Sequence, residues 1–328
     1  MRVVGLAVTL LMGCGGGKRV DTAGDDRSLA AWGECDVVVL GLEIGGGIAL
    51  AVPPADGKNI SSNTPIVMFM DTGTLADSID PATIEVHHEG GLISGTVQVM
   101  SSGRALVFVA DRALPTNAGI TVTIGESGSY EFHTAGFEAV PANDANLSFE
   151  REATGHGPEC DSNVFTENFI TYGDTAISDV ATGSVDATEG DYRLLMSTGE
   201  VLGGAALNRA SSFIVSQPFE THGATSLAFD FRFVSEELGG DGQDDSLVLV
   251  LRGPLGVIFE EVVSVASVVD SGAVPYPGLS GARGGDWTTH TVAGLDAIGS
   301  PVGLTLILTD AAGTDGTTGI AVDDIRMD

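Results

Sequence analysis

The side chains that could do chemistry are scattered through this sequence rather than gathered into a catalytic pattern. The chain has no H-E-x-x-H motif, no G-x-S-x-G turn and no Cys/His spacing that suits zinc. Its six histidines are dispersed. Acidic residues alone do not settle glycoside hydrolysis, because the two carboxylates of a glycosidase can lie far apart in sequence. We therefore expect a protein that is not an enzyme.

Two short acid-rich stretches are candidates for binding a cation. "GGDGQDDS" contains Asp241, Asp244 and Asp245, and "TDAAGTDGTTG" contains Asp310 and Asp315. Neither stretch follows the D-x-[DN]-x-[DN]-G calcium loop with its distal Glu. We interpret both as solvated turns.

Composition indicates an all-β chain with a strongly acidic surface. The 328 residues include 46 Gly, and Asp and Glu (45) greatly outnumber Lys and Arg (14), which gives a formal charge of −31. Frequent Gly with short apolar runs is typical of strands joined by many turns, and the length favours two domains. Such an excess of acids repels phosphate backbones, so nucleic acid is excluded as a partner.

The first fourteen residues have the layout of an exported protein. Arg2 is followed by the apolar run Val3–Met12, which is too short to cross a membrane as a helix. The "LMGC" that ends at Cys14 resembles the lipobox of bacterial lipoproteins, in which the cysteine is lipidated and the leader is cut before it. The resemblance implies a signal peptide at 1–13, lipidation of Cys14, and anchoring to the outer membrane or cell surface of the bacterial envelope. The alternative is an ordinary secretory signal with a chance cysteine.

The region that follows, 14–49, is interpreted as a tether with lead-in strands, and it contains one of the two other cysteines, Cys35. With Cys14 lipidated, Cys35 and Cys160 remain, and an exported protein lies in a compartment where a disulfide is allowed. A Cys35–Cys160 bridge would tie the lead-in to the second domain. Sequence does not show whether their Cα atoms come within bonding reach, so paired and free thiols both stay open.

Residues 50–136 show the regular spacing of a β-sandwich. Short alternating runs recur every 8–12 residues or so, separated by turn residues. In order, the segments "PPADGKNISSNTPIVMFMD", "IDPATIEV", "SGTVQVMSSGRALVFVAD", "ALPTNAGITVTIG" and "YEFHT" resemble an SbsA-type bacterial Ig-like domain, which implies a spacer or adhesive module. The predicted strands are Ile66–Met70, Thr83–His87, Ser94–Met100, Ala105–Ala110, Gly119–Ile124 and Tyr130–Thr134.

After a linker at 137–145, residues 146–328 form a second β-rich region. The runs "SLAFDFRFV", "SLVLVLRG", "TTHTVA" and "GLTLILTD" alternate or are wholly apolar, as paired sheets in a sandwich require. With "NLSFE" as a first strand and "IAVDDIRM" as a closing one, the region resembles the galactose-binding-like β-jelly roll of carbohydrate-binding modules. The predicted fold is therefore all-β, an Ig-like β-sandwich followed by a β-jelly-roll sandwich.

The jelly-roll resemblance implies a structural Ca²⁺ between the first and last strands. Its ligands would be Glu150 of "SFE" and Asp323 or Asp324 of "VDDI", and carboxylate oxygens are the ligands that Ca²⁺ prefers. The alternative is that one of the two aspartates faces solvent and that Glu150 pairs with an arginine.

The sequence indicates the fold more clearly than the function. We expect a non-enzymatic, lipid-anchored envelope protein in which an Ig-like spacer presents a jelly roll that binds a ligand or a surface protein. The alternative is an envelope-attached carbohydrate-binding module that uses Trp287 and Tyr276. Few aromatic residues are present to stack on sugar rings, since Phe, Trp and Tyr make up only 6% of the chain.

Overall fold

A computed structural model confirms the predicted all-β class: the described part of the chain consists mainly of strands and turns, with three short 3₁₀ helices and one short α-helix, α1 (Leu295–Ile298). The structure describes residues 48–53, 55–70, 76–100, 103, 105–125, 128–149, 153–154, 169–172, 174–179, 188, 190, 192–197, 212–235, 245–264, 274–275, 283–309 and 318–328.

The first sandwich consists of two facing sheets. A four-stranded sheet has the order β1-β3-β7-β6, and a five-stranded sheet has the order β2-β9-β8-β4-β5. Three predicted strands have the observed bounds, and the edge strand β1 spans the predicted boundary between the lead-in region and the first domain. The strands are β1 (Ile48–Val52), β2 (Ile60–Ser61), β3 (Ile66–Met70), β4 (Ile84–His88), β5 (Gly91–Leu92), β6 (Gly95–Val99), β7 (Ala105–Ala110), β8 (Gly119–Ile124) and β9 (Gly128–Ala135).

The second sandwich pairs an eight-stranded sheet with a five-stranded one. The former has the order β10-β12-β13-β22-β15-β19-β18, with β20 also on β15, and the latter has the order β11-β14-β21-β16-β17. The strands are β10 (Ala153–Thr154), β11 (Phe169–Tyr172), β12 (Asp174–Asp179), β13 (Tyr192–Ser197), β14 (Ser212–Ser216), β15 (Ser226–Ser235), β16 (Ser246–Arg252), β17 (Val257–Ser264), β18 (Val274–Pro275), β19 (Arg283–Gly284), β20 (Thr288–Ala293), β21 (Gly303–Thr309) and β22 (Thr318–Met327).

The two central strands of the four-stranded sheet, β3 and β7, are buried on both faces, which explains why they are apolar at every position. Side chains of a strand point alternately to the two faces of its sheet. In β3, Ile66 and Met68 lie in the core of the first sandwich. Val67 and Phe69 instead join a core that continues into the second sandwich.

The five-stranded sheet of the second sandwich supplies the other side of this contact, which we call the junction. All seven residues of β16 and of β21 are buried. In β16, Leu247, Leu249 and Leu251 alternate with residues that face the first sandwich. Arg252, at the end of β16, is one of the residues that face it, and it donates a hydrogen bond to the backbone carbonyl of Asn63 at 2.8 Å. Because apolar surface is buried on both sides, the two sandwiches are packed against each other rather than merely tethered.

The segment predicted as a linker is itself hydrogen-bonded to the second sandwich. The Val140 N–H donates to the carbonyl of Pro218, and the Glu220 N–H donates to the carbonyl of Val140, both at 2.9 Å. The Gln217 side chain also donates to the carbonyl of Glu138 at 2.8 Å. These bonds hold the connecting chain beside the junction.

The prediction that "NLSFE" forms the first jelly-roll strand is wrong. Residues 145–148 form turns, and Asn146 and Phe149 have positive φ values of 53° and 58°, which are incompatible with a strand. Leu147 and Phe149 are nevertheless buried in the core, and the carbonyl of Leu147 accepts a hydrogen bond from the Ile325 N–H of β22. The apolar residues of this segment are core residues, but the backbone turns there.

Candidate functional site

The second sandwich has one outer sheet face that the first sandwich does not cover. The outer face of its five-stranded sheet forms the junction. The eight-stranded sheet places Phe229, Phe231 and Phe233 of β15 in the core, so the alternating residues Asp230 and Arg232 belong to the opposite, outer face. That outer face is the candidate binding surface.

Charged and hydroxyl side chains form a row across the middle of this face. Asp230 of β15 lies opposite Asp323 of β22 on one side and opposite Thr289 of β20 on the other. We call Asp323, Asp230 and Thr289 the polar row. Arg193 of β13 occupies the next position beyond Asp323 in the continuing register, because Leu194 pairs with Val322. Asp323 and Arg193 are both 0% exposed, so within this line Asp230 and Thr289 are the side chains that reach solvent.

Hydrogen bonds fix the geometry at the centre of the polar row. The Thr289 hydroxyl donates to Asp230 Oδ1 at 2.6 Å, and Arg326 Nη2 donates to the same oxygen at 3.4 Å. Arg326 Nη1 also donates to Asp324 Oδ2. Burial lowers the pKa of Arg326, but the charges of Asp324 and Asp230 outweigh it and leave that pKa raised. The guanidinium therefore stays charged, and about a third of its side chain, 37%, remains exposed.

Asp323, one of the predicted calcium ligands, is buried and accepts several hydrogen bonds. Its Oδ2 accepts from the N–H and the hydroxyl of Thr188, at 2.6 and 3.0 Å, and its Oδ1 accepts from the Asp324 N–H at 2.8 Å. Asp324 turns toward Arg326 instead, so the two neighbouring aspartates serve different partners. Glu150 lies outside the described residues, and the calcium site stays a prediction.

The interpretation of both acid-rich stretches as solvated turns is wrong for one residue. Asp245 is fully buried directly before β16, next to a buried pair in which the Ser246 and Thr309 hydroxyls lie 2.9 Å apart. Asp241, Asp244, Asp310 and Asp315 lie outside the described residues. Within the part of the chain that the structure describes, no group of three or more His, Cys, Asp or Glu side chains is arranged to hold a metal ion.

The remaining predicted site residues are only partly placed. Trp287 is half-buried directly before β20, two residues from the Gly285 carbonyl that accepts a hydrogen bond from Arg232 Nε at 3.0 Å. Tyr276, Cys14, Cys35 and Cys160 lie outside the described residues, so the second aromatic candidate, the lipidation and the disulfide stay predictions. In the described segments, we find no helix long and apolar enough to cross a membrane.

Sequence reasoning missed the centre of this site. Asp230, Thr289 and Arg326 were not singled out, although "SLAFDFRFV" carries a usable signal. In that run, Asp230 and Arg232 are charged residues at alternate positions of an otherwise apolar strand. Such positions mark the outer face once β15 is known to lie inside a sheet. Its partners on β20 and β22 could not be found without the strand order.

Comparisons with known proteins do not place the chain in a family. No family model matches, and no curated protein matches. Among solved structures, the K1 cleaved adhesin domain of Lys-gingipain from Porphyromonas gingivalis is 9% identical and aligns with 55% of this chain and 95% of its own, at a TM-score of 0.32. A carbohydrate-binding module of the β-sandwich superfamily is 14% identical and aligns with 84% of this chain and 96% of its own, at a TM-score of 0.30.

An L,D-transpeptidase from Mycobacterium tuberculosis is also similar in part. It is 18% identical over 28% of this chain and 41% of its own, at a TM-score of 0.22. The chain thus spans about two fifths of the length of that enzyme. At TM-scores this low, none of these similarities supports a conclusion about function, which has to rest on the site itself.

Proposed function

We propose that this protein is a non-enzymatic binding protein of the bacterial envelope, lipid-anchored through Cys14, whose ligand surface is the outer face of the eight-stranded sheet. The observation that carries the proposal is the polar row, with its hydrogen-bonded centre at Asp230, Thr289 and Arg326. Of the two sheets of the second sandwich, the first sandwich covers the five-stranded one, so in the described residues it is the eight-stranded sheet whose outer face stays clear of the first sandwich.

The chemistry of the face favours a glycan over an apolar ligand. A carboxylate, a guanidinium and threonine hydroxyls supply both acceptors and donors, which a polyhydroxylated ligand needs. Thr289 and Thr291 are exposed, and Trp287, close in sequence, is half-buried and offers apolar area beside them. Hydrogen bonds to charged groups are worth about 1.5–3 kcal/mol each, enough to orient a weakly bound sugar chain.

The role expected for the Ig-like region changes with the junction. A spacer would hold the binding domain away from the envelope on a flexible joint. Because Val67 and Phe69 share a core with the second sandwich, we propose instead that the first sandwich supports the binding domain as part of one rigid unit. A fragment that begins at Asp144 would lose this cover and expose apolar surface.

A polysaccharide array tests the ligand class. The chain from Gly15 onward, which lacks only the leader and Cys14, is applied to immobilised bacterial and plant polysaccharides and then measured by titration against each hit. Consistent binding in the micromolar range supports the proposal. If no polysaccharide binds while a surface protein does, the ligand class is wrong and the partner is a protein.

A further inference from the structure

Arg252 is a buried cation at the junction. Arg252 is the last residue of β16 and is 1% exposed. Its side chain is among the largest that are fully buried in the described residues. Its Nη1 donates to two backbone carbonyls of the first sandwich, that of Asn63 at 2.8 Å and that of Thr64 at 3.4 Å. One corner of the guanidinium is therefore satisfied by the partner sandwich.

The other edge of the same guanidinium has no protein partner. Nε and Nη2 of Arg252 are buried without a hydrogen bond, and so is the hydroxyl oxygen of the adjacent Thr64. Buried polar groups in native proteins are nearly always satisfied, by protein atoms, by water or by an ion. Two unsatisfied donors on one edge of the guanidinium, with an unsatisfied hydroxyl on a residue that Arg252 contacts, indicate that something other than protein binds there.

The charge of Arg252 decides what kind of group that is. Burial lowers the pKa of Arg252 to about 10, which is still far enough above neutral pH to keep the guanidinium protonated. Of the ion pairs in the described part of the chain, none involves Arg252. An unpaired buried charge costs several kcal/mol, so an uncharged occupant would leave most of that cost in place.

We propose that the Nε–Nη2 edge of Arg252 binds a small monovalent anion of the halide class, with the Thr64 hydroxyl as a further donor. This edge offers two parallel N–H groups in the fork with which arginine takes up anions. A hydroxyl hydrogen rotates to suit its partner, so Thr64 can donate to an anion as readily as it accepts elsewhere. A water molecule would satisfy the same donors but not the charge.

The proposed site exists only when the two sandwiches are docked. Arg252 comes from the second sandwich and Thr64 from the first. A ligand that binds the docked form and not the separated one stabilises docking by mass action. The anion would therefore act as part of the junction, and the stability of the folded chain would depend on which anion is present.

Crystals of the chain from Gly15 onward, soaked in sodium bromide, test the site directly. We expect an anomalous peak for bromide within hydrogen-bonding distance of both Nε and Nη2 of Arg252. An Arg252→Met crystal should lack the peak, since methionine keeps apolar volume but offers no donor. Water density at this edge without an anomalous signal, or no density at all, overturns the proposal.

Thermal unfolding supplies a second readout that does not need the variant to crystallise. Sodium chloride is compared with sodium gluconate at equal ionic strength, because gluconate is too large for a buried site. With chloride at ten times its Kd for the site, the thermal midpoint of the wild-type chain should be about 2–4 °C higher than in gluconate. Arg252→Met should show no difference between the salts. Equal midpoints for the wild-type chain in the two salts also overturn the proposal, even where Arg252→Met fails to fold.

Discussion

The junction predicts that a single methyl group added at Gly303 destabilises the whole chain. Gly303 begins β21, and a Cβ placed on it would lie 2.6 Å from Asn63 Nδ2 and 2.7 Å from Asn63 Cβ. The side-chain amide could rotate away, but Asn63 Cβ moves only with its backbone. Because that backbone also accepts the Arg252 hydrogen bond, Gly303→Ala pushes the two sandwiches apart.

Overpacking of this kind costs about 1–3 kcal/mol. A cost of about 2 kcal/mol lowers the folded-to-unfolded ratio roughly thirtyfold. For a chain of this size it shifts the midpoint of urea unfolding down by roughly 0.5–1 M. Equilibrium unfolding of the chain from Gly15 onward, followed by tryptophan fluorescence and by circular dichroism, measures that shift.

Gly285→Ala is the matched control, since a Cβ there meets nothing within 4 Å. It should leave the midpoint unchanged or raise it slightly, because alanine reduces the entropy of the unfolded chain. Asn63→Gly should relieve the clash, so the Gly303→Ala cost should be smaller in that background. If Gly303→Ala unfolds at the same urea concentration as Gly285→Ala, the packed junction is refuted.

Three further outcomes follow from individual residues. Burial raises the pKa of Tyr130, whose hydroxyl has no protein partner, so Tyr130→Phe should add about 1 kcal/mol at pH 7. Above pH 10, Tyr130 ionises in the unfolded chain but not in the folded one, so the wild-type chain should lose stability as the pH rises and the variant should lose less. Equal thermal midpoints for the wild-type chain and the variant at pH 8 and at pH 11 would contradict this. Cys14→Ser should release the protein from the membrane fraction, and unchanged fractionation would rule out the lipid anchor. If Glu150 and Asp323 hold Ca²⁺, a chelator should lower the melting temperature, whereas an unchanged melting curve would end that hypothesis.

Local patterning was enough to predict much of the first sandwich. The runs Ile66–Met70, Ala105–Ala110 and Gly119–Ile124 are strands with the predicted bounds. Gly119–Ile124 alternates between buried and half-buried residues, and its period of two was visible in the sequence. By contrast, β3 is buried throughout, and its unbroken apolar run is typical of a strand that is buried on two faces.

The site depended on long-range pairing and could not be predicted to the same extent. Asp230, Thr289 and Asp323 are separated by dozens of residues, and only the order β22-β15-β20 brings them together. Phe149 shows a second limit, because "NLSFE" has the pattern of a strand, whereas Phe149 has a positive φ that no local pattern indicates. Periodicity predicts which face of a strand is buried, whereas neighbours depend on the whole topology.

The central claim is that the outer face of the eight-stranded sheet binds the ligand, and an isosteric substitution at its centre tests it most directly. Asp230→Asn removes the charge that Thr289 and Arg326 share while keeping the size of the side chain. Asp111→Asn makes the same change at an exposed position of the first sandwich. With a polysaccharide identified on the array, calorimetric titration should show Kd raised at least about tenfold for Asp230→Asn and unchanged for Asp111→Asn. Equal affinity of the two variants for that polysaccharide would contradict the account.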